Sequence, residues 1–136
     1  MPSIYRSERV TLQVPFHDCD PLGIVWHGHY LKYFELARTR LFANSDLDVP
    51  QVGDLGYRMY VADVRCRYTY PLRYGDEVEV TAKPTADSPM LRISYSVRNL
   101  SDGRRSARGR TVLVATDREG NLLHKIPTEI LDRLRG

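Results

Sequence analysis

The hydrophobic period of this chain changes from about 3.6 residues to two after its first third, and that change constrains the fold most. Four apolar residues recur at positions i, i+4, i+7 and i+11 of one helical face. They are Tyr30, Phe34, Ala37 and Leu41. This spacing predicts a long helix over residues 28–43. Additional apolar side chains widen the face, so we expect the helix to be enclosed on several sides. The additional residues are Leu31, Tyr33, Leu36 and Phe42.

Alternating apolar and polar residues predict five strands, one before the helix and four after a polar connection over residues 44–56. Ser101-Asp102-Gly103 is typical of a hairpin turn, and Pro127 opens a short C-terminal helix. Antiparallel strands beside one helix are typical of an α+β fold, here a single domain over residues 1–136. The strands are predicted at residues 7–14, 58–70, 76–83, 91–97 and 107–116.

Length and charge exclude several classes of protein. A chain of 136 residues has the size of one domain, and a net charge of +3 is far short of a nucleic-acid-binding arm. We find no apolar stretch of signal-peptide or membrane-span length, and two cysteines make no disulfide framework. We therefore expect a cytoplasmic protein without a membrane span. Seventeen of its 20 basic residues are arginines, which indicates either base composition of the genome or phosphate binding.

The loop before the predicted helix concentrates the residues that could carry chemistry. Residues 17–29 hold three of the four histidines, two aspartates and Cys19. These side chains include metal ligands, but the loop lacks the paired spacing of a metal site, and we predict none. Asp18 fits a helix-capping or turn role, and Cys19 fits a small buried filler, with a catalytic thiolate as its alternative. His17 fits a loop hydrogen-bonder, and His29 fits a structural or exposed residue.

A third interpretation of this loop is acyl transfer. Gly23 and Gly28 allow the backbone to approach a ligand, and the first amides of a helix have no intrahelical acceptor. Such amides can polarise a carbonyl group, while a nearby carboxylate acts as nucleophile or general base. Asp20 precedes a proline and is therefore biased towards an extended conformation, which suits a side chain that projects from a loop.

Residues 18–26, DCDPLGIVW, followed by Tyr30, resemble the signature of the 4-hydroxybenzoyl-CoA thioesterase family. The continuation from His27 to Arg38 is similar to that of the short-chain acyl-CoA thioesterases associated with the Tol-Pal system. The resemblance implies a hotdog fold, in which a five-stranded antiparallel sheet wraps around one long central helix and a short helix follows. It also implies an acyl-CoA thioesterase.

The same resemblance implies which residues form the site. Asp20, the second aspartate of the motif, would be the catalytic carboxylate. The backbone amide of His27, with that of Gly28, would polarise the thioester carbonyl, and the His27 side chain would belong to the site. The residues implied in substrate binding are Gly23, Val25, Trp26 and Gly28.

Three charged residues outside the loop are further candidates for the site: Glu35, Lys83 and Arg92. Glu35 lies about two helical turns after His27, where some hotdog thioesterases carry their catalytic glutamate. It is a possible second carboxylate, although pairing with Arg38 or Arg40 is the alternative we favour. Lys83 and Arg92 are weak candidates for the phosphates of coenzyme A. The stretch 83–92 lacks the basic cluster of the aromatic-CoA enzymes.

The predicted function is hydrolysis of a small acyl- or aroyl-CoA thioester to the free acid and coenzyme A. No cofactor is predicted, since coenzyme A is part of the substrate. Two alternatives remain: a non-catalytic acyl-CoA-binding hotdog module and a hotdog enoyl hydratase or dehydratase. One sheet on one apolar helix leaves strand edges uncovered, so we expect a homo-oligomer, either a dimer or a dimer-of-dimers tetramer.

Overall fold

A computed structural model describes residues 4–86 and 89–136, and its elements follow the predicted order. Residues 87 and 88, within the stretch between Lys83 and Arg92, lie outside the described residues. None of the described helices is long and apolar enough to cross a membrane. The elements are β1 Glu8–Gln13, α1 His29–Asn44, α2 Val49–Asp54, β2 Tyr57–Tyr68, β3 Glu77–Ala86, β4 Leu91–Asn99, β5 Arg105–Asp117 and α3 Thr128–Leu134.

The five strands form one antiparallel sheet in the order β1-β3-β4-β5-β2. In β4, buried and more exposed positions alternate along the strand, as a sheet with one face on the core requires. Its inward side chains are Leu91, Ile93, Tyr95 and Val97. The order leaves β1 and β2 as the two edges of the sheet.

Helix α1 packs on the inner face of the sheet and supplies much of the core. The ring of Phe34 stacks on Tyr95 of β4, with centroids 4.5 Å apart and an interplanar angle of 10°. Gly109 of β5 permits this close approach. A Cβ atom there would lie 2.6 Å from the Phe34 ring and would also collide with the Arg65 carbonyl oxygen. The helix residues that are buried are Tyr30, Tyr33, Phe34, Ala37 and Leu41.

Two features differ from the sequence-based predictions. The connection over residues 44–56 contains a helix, α2, in which Asp48 caps the first amide and Pro50 stands in the first turn. Helix α1 is also less enclosed than predicted, because Leu31 is 43% exposed and Leu36 is 47% exposed. Apolar side chains of β2 are likewise exposed at the sheet edge, where β5 is its sole strand partner among the described residues. They include Tyr60, Val61, Val64 and Tyr68.

Candidate active site

The loop before α1 folds into a tight turn that presents Asp20. A 3-10 turn over Phe16–Asp18 precedes it, and Cys19 then forms an antiparallel bridge with Val25. The Gly23 amide donates to the Asp20 carbonyl oxygen at 2.9 Å, and Gly23 has a φ of +82°. This left-handed conformation strains any residue with a Cβ, so glycine here closes the turn beside Asp20.

The Asp20 carboxylate keeps one oxygen free. The Leu22 amide donates to Oδ1 at 2.9 Å, whereas Oδ2 accepts no hydrogen bond from the described residues. Asp20 is half-buried and lines a pocket of about 290 Å³ together with His27. The two residues that the resemblance singled out therefore border the same cavity, and one carboxylate oxygen is available there for chemistry.

The start of helix α1 supplies backbone donors beside that cavity. The helix begins at His29, and the preceding Gly28 makes no side-chain cap. Within the described residues, the amides of His27 and Gly28 donate to no protein acceptor. The ring of Trp26 lies directly over Gly28, so close that a Cβ atom on Gly28 would collide with it. The loop thus holds two unpaired amides next to the pocket, as an oxyanion-binding site requires.

Tyr68, the last residue of β2, completes the wall of the pocket. Its hydroxyl donates to the His27 carbonyl oxygen at 2.9 Å, and its ring packs edge-on against Tyr30 at 4.9 Å between centroids. Burial, together with a hydrogen bond to Cys66, raises the pKa of Tyr68 to about 12. The hydroxyl therefore keeps its proton at neutral pH and holds the turn that precedes α1.

Asp18 has a different environment from Asp20. It is 1% exposed, and its carboxylate accepts hydrogen bonds from Lys32 Nζ and from the Tyr33 hydroxyl, both at 2.7 Å. Burial acts to raise the pKa of Asp18, but these bonds outweigh it and the pKa lies below its usual value. Of the two predicted roles, capping is wrong, since the Asp18 carboxylate binds helix side chains and not helix-start amides, whereas Asp18 does lie in a turn, the 3-10 turn Phe16–Asp18.

The predicted substrate-binding residues separate into two groups. Val25 is buried and lines the pocket with Asp20 and His27. Gly23 and Gly28 shape the backbone before and after Val25. Trp26 lies outside the pocket, where its ring packs against those of His27 and His29. The Nε2 atoms of His17 and His29 lie 3.7 and 3.9 Å from Asp18 Oδ1, beyond hydrogen-bond distance, so their predicted roles stay predictions. The catalytic and binding roles of these residues remain predictions.

Glu35 does not line the Asp20 pocket in a single chain. It is exposed and borders a separate cavity of about 490 Å³, which Phe42, Met59 and Tyr60 also line. The predicted pairing with Arg38 or Arg40 is wrong, because the described residues place no cation within ion-pair distance of Glu35. Arg38 donates instead to the Tyr95 hydroxyl at 3.3 Å.

Lys83 and Arg92 lie on the outer face of the sheet, which faces away from α1. Lys83 of β3 stands opposite Ser94 of β4, and Arg92 stands opposite Val112 of β5. Neither lines the Asp20 pocket. Among the described residues, no group of three or more histidine, cysteine, aspartate or glutamate side chains could hold a metal ion.

Four consecutive residues of the pocket wall were missed by the sequence-based analysis. The first of them is the last residue of β2, and the other three follow that strand. Because they lie far along the chain from the motif, no local spacing links them to Asp20. The available signal was the dense run of aromatic residues after the alternating strand pattern. The residues are Tyr68, Thr69, Tyr70 and Pro71.

An open antiparallel sheet around one long helix, with a carboxylate-bearing loop before that helix, defines a hotdog protein. The chain belongs to the thioesterase-like superfamily, whose family model matches residues 14–134. The predicted fold and family are thereby confirmed, and they agree with the predicted class of thioester hydrolase. The finer resemblance to the Tol-Pal-associated enzymes remains a prediction.

Individual relatives agree with this family. A provisionally named esterase of Aquifex aeolicus is 35% identical over 80 residues, a match that spans 59% of this chain and 59% of the esterase. A thioesterase of Thermus thermophilus, crystallised with coenzyme A and zinc, is 31% identical with a TM-score of 0.79. The match covers 93% of this chain and 90% of the Thermus chain. A 4-hydroxybenzoyl-CoA thioesterase variant complexed with 4-hydroxybenzoyl-CoA shares the fold at 18% identity, with a TM-score of 0.84. The match covers 95% of this chain and 99% of that enzyme.

Proposed function

We propose that the protein is an acyl-CoA thioesterase that hydrolyses a small acyl- or aroyl-CoA thioester. One observation carries this proposal: among the described residues, Asp20 has a carboxylate oxygen without a protein donor, His27 has a backbone amide without a protein acceptor, and both residues line the same pocket. A thioester carbonyl needs both a hydrogen-bond donor for its oxygen and a nucleophile for its carbon. Asp20 and the backbone of His27 and Gly28 meet these needs.

The proposed reaction uses protein groups and water alone. The carbonyl oxygen accepts a hydrogen bond from the His27 amide, with that of Gly28 beside it, and the developing negative charge strengthens that bond. Asp20 then either removes a proton from a water molecule that attacks the carbonyl carbon, or attacks that carbon itself and forms a mixed anhydride, which water hydrolyses to the free acid and the Asp20 carboxylate. The carbon–sulfur bond breaks, and coenzyme A leaves as a thiolate that takes up a proton. The His27 ring lies beside this centre, and no metal or redox cofactor enters the proposal.

The size of the pocket supports a short acyl or a single-ring aroyl group. It encloses about 290 Å³, at the lower end of the range of small-molecule sites, and aromatic side chains form much of its wall. Tyr30 and Tyr68 meet edge to face there and would exclude water from the acyl chain. The Thermus relative binds coenzyme A in its crystal structure, which supports the same ligand here.

We further propose that the working form is a homo-oligomer built on the β2 edge, with a dimer as its basic unit. This strand exposes apolar side chains and unpaired backbone along twelve residues. Antiparallel pairing with a second copy would bring the start of one β2 next to the end of the other. The cavity beside Glu35 lies at the start, and the Asp20 pocket lies at the end, so the pairing would join them into one site. A tetramer would add a second such dimer.

The proposed location is the cytoplasm. Cys19 and Cys66 are both free thiols in the structure. Free cysteines fit a reducing compartment, and acyl-CoA thioesters are intracellular metabolites.

The test is thiol release from a panel of acyl-CoA thioesters, from acetyl to benzoyl, by the wild-type protein and by Asp20→Asn. Asparagine keeps the carbonyl oxygen that binds the Leu22 amide but cannot act as nucleophile or base. We expect turnover of at least one thioester by wild type and a loss of about 10²–10⁴ in kcat for the variant.

The matched control is Asp132→Asn, which removes an exposed carboxylate of α3 that lines none of the cavities described above. It should retain wild-type turnover. Binding of coenzyme A esters without thiol release by wild type would instead identify a non-catalytic module. Hydration of an enoyl-CoA without thiol release would identify a hydratase.

A further inference from the structure

Four arginines form a square on the outer face of the sheet, across strands β2 and β5. Arg65 stands directly opposite Arg110, and Arg67 stands directly opposite Arg108. Like charges in directly opposed positions of an antiparallel pair destabilise a sheet. Two such pairs in succession are therefore a cost to folding, which a bound anion would offset.

The alternation of β2 places these guanidinium groups away from the catalytic pocket. Tyr68 points to the inner face, where its ring meets Tyr30 of helix α1. Because side chains alternate along a strand, Arg67 and Arg65 point to the outer face. On β4, the neighbours of Arg108 and Arg110 are Ser96 and Ser94, whose small side chains leave space beside the guanidinium groups. The arginine square, as we call these four residues, lines an open concavity of about 550 Å³.

The square has few counter-charges. Arg65 lies 3.7 Å from Asp63, and both side chains are more than half exposed. For the other three arginines, the described residues offer no carboxylate within ion-pair distance. The Nε of Arg110 is buried and has no hydrogen-bond acceptor among residues 4–86 and 89–136. A buried donor without an acceptor costs free energy, which adds to the cost of the opposed like charges.

We propose that the arginine square binds a compact anion that carries at least two phosphate groups. Opposed residues of an antiparallel pair have Cβ atoms about 5 Å apart, and next-but-one residues along a strand are about 7 Å apart. Guanidinium groups in such an arrangement can bind adjacent phosphate groups bidentately from opposite sides. Lys83 and Arg92 lie on the same outer face and add positive charge around the square.

Two ligands share this chemistry. One is the nucleotide end of the coenzyme A substrate, which carries a diphosphate and a separate phosphate; this source rests on the proposed function. The other is a free nucleoside diphosphate or triphosphate that binds independently of hydrolysis. Both require the same arrangement of guanidinium groups, and they differ in whether the ligand is attached to the acyl group.

The first experiment measures binding of inorganic pyrophosphate by isothermal titration calorimetry at low ionic strength. The double variant Arg67→Gln/Arg108→Gln should bind about tenfold or more weakly than wild type. The matched control is Arg9→Gln/Arg135→Gln, which removes the same charge from two exposed arginines that already pair with carboxylates. This control should bind as wild type does.

Three results would overturn the proposal: no pyrophosphate binding by wild type, equal binding by the square variant, or an equal loss in the control. Loss of binding through unfolding is separable, because removal of opposed like charges should raise the Tm of the square variant. The titration needs no hydrolysis, so it remains readable if the protein proves not to be a thioesterase.

The second experiment distinguishes the two sources by comparing the KM for an acyl-CoA with that for the same acyl-pantetheine. If the square holds the nucleotide of coenzyme A, the ratio of KM(acyl-CoA) to KM(acyl-pantetheine) should rise about tenfold in the square variant. If a free nucleotide is the ligand, that ratio should keep its wild-type value while pyrophosphate binding is lost. Either result supports the square as a phosphate site.

Discussion

Asp18 and Asp20 are two residues apart in one loop, and the structure uses their carboxylates in opposite ways. Asp18 is buried and accepts hydrogen bonds from Lys32 and Tyr33 on the central helix. Asp20 is half-buried, has the Leu22 amide as its donor and borders a cavity. The difference arises from which elements surround each residue, since the two side chains are chemically identical.

The comparison shows how one loop can serve both stability and chemistry. A carboxylate whose two oxygens are both bonded to protein donors is a fixed structural group, and it anchors the loop on α1. A carboxylate with a free oxygen next to a pocket can still bind a substrate atom or a water molecule. We therefore expect substitutions at the two positions to affect different measured quantities.

The largest expected effect is on catalysis by Asp20→Asn. We expect kcat to fall by about 10²–10⁴, because the amide can act neither as nucleophile nor as base. The free energy of unfolding should change by less than about 0.5 kcal/mol, since the bond to the Leu22 amide is kept. Thiol release and urea denaturation measure the two quantities. An unchanged kcat would remove Asp20 from the mechanism.

The second largest effect is expected on the free energy of unfolding of Asp18→Asn. The neutral amide weakens two hydrogen bonds to a buried charge, so the free energy of unfolding should fall by about 1–3 kcal/mol. The kcat of the folded variant should stay close to wild type. Urea denaturation checks the first statement, with Asp132→Asn as a surface control that should change it little. A drop in kcat as large as that of Asp20→Asn would contradict the distinction between the two residues.

The pH dependence of the free energy of unfolding should also differ between wild type and Asp18→Asn, by less than the two effects above. The folded-state pKa of Asp18 is lowered, so its ionised form contributes stability above the unfolded-state value of about 3.9. That contribution is lost as pH falls through the folded-state pKa. Wild type should therefore lose stability more steeply than Asp18→Asn in acid. Denaturation curves between pH 7 and pH 3 test this, and parallel slopes for both proteins would refute it.

The smallest effect is expected from Tyr68→Phe, which acts on the pocket of Asp20 alone. The change removes the hydrogen bond to the His27 carbonyl and leaves the ring packing against Tyr30. A loss of about 0.5–1.5 kcal/mol in transition-state binding corresponds to a decrease in kcat/KM of about twofold to tenfold. Steady-state kinetics measure it, and Tyr74→Phe, at an exposed ring outside the pocket, is the matched control.

Much of the fold could be predicted because its two periodicities are strong. Helix α1 carries apolar residues over more than three turns, and the strands after it alternate over long runs. Helix α2 was missed because its six residues are too few to show a helical period. Its start was nevertheless readable, since Asp48 followed by Pro50 is a typical cap and first turn.

The candidate site could be predicted in part. Asp20 and His27 lie in one motif, so a local pattern could place them together. Tyr68 joins them from 41 residues further along the chain, and tertiary packing alone brings it there. Glu35 was expected to pair within its own helix, yet it borders a second cavity. The opposed arginines became visible with the register of β2 against β5, which sequence patterns do not fix.

The hydrogen bond from Tyr68 to His27 would couple subunit association to substrate binding. Tyr68 ends β2, an edge strand of the described sheet, and it also holds the turn that carries the amides proposed to bind the thioester carbonyl. A second copy bound to that edge would order both at once, so subunit association and substrate binding would favour each other. Specific activity should then fall when the protein is diluted, and substrate should shift the oligomeric equilibrium towards the larger species.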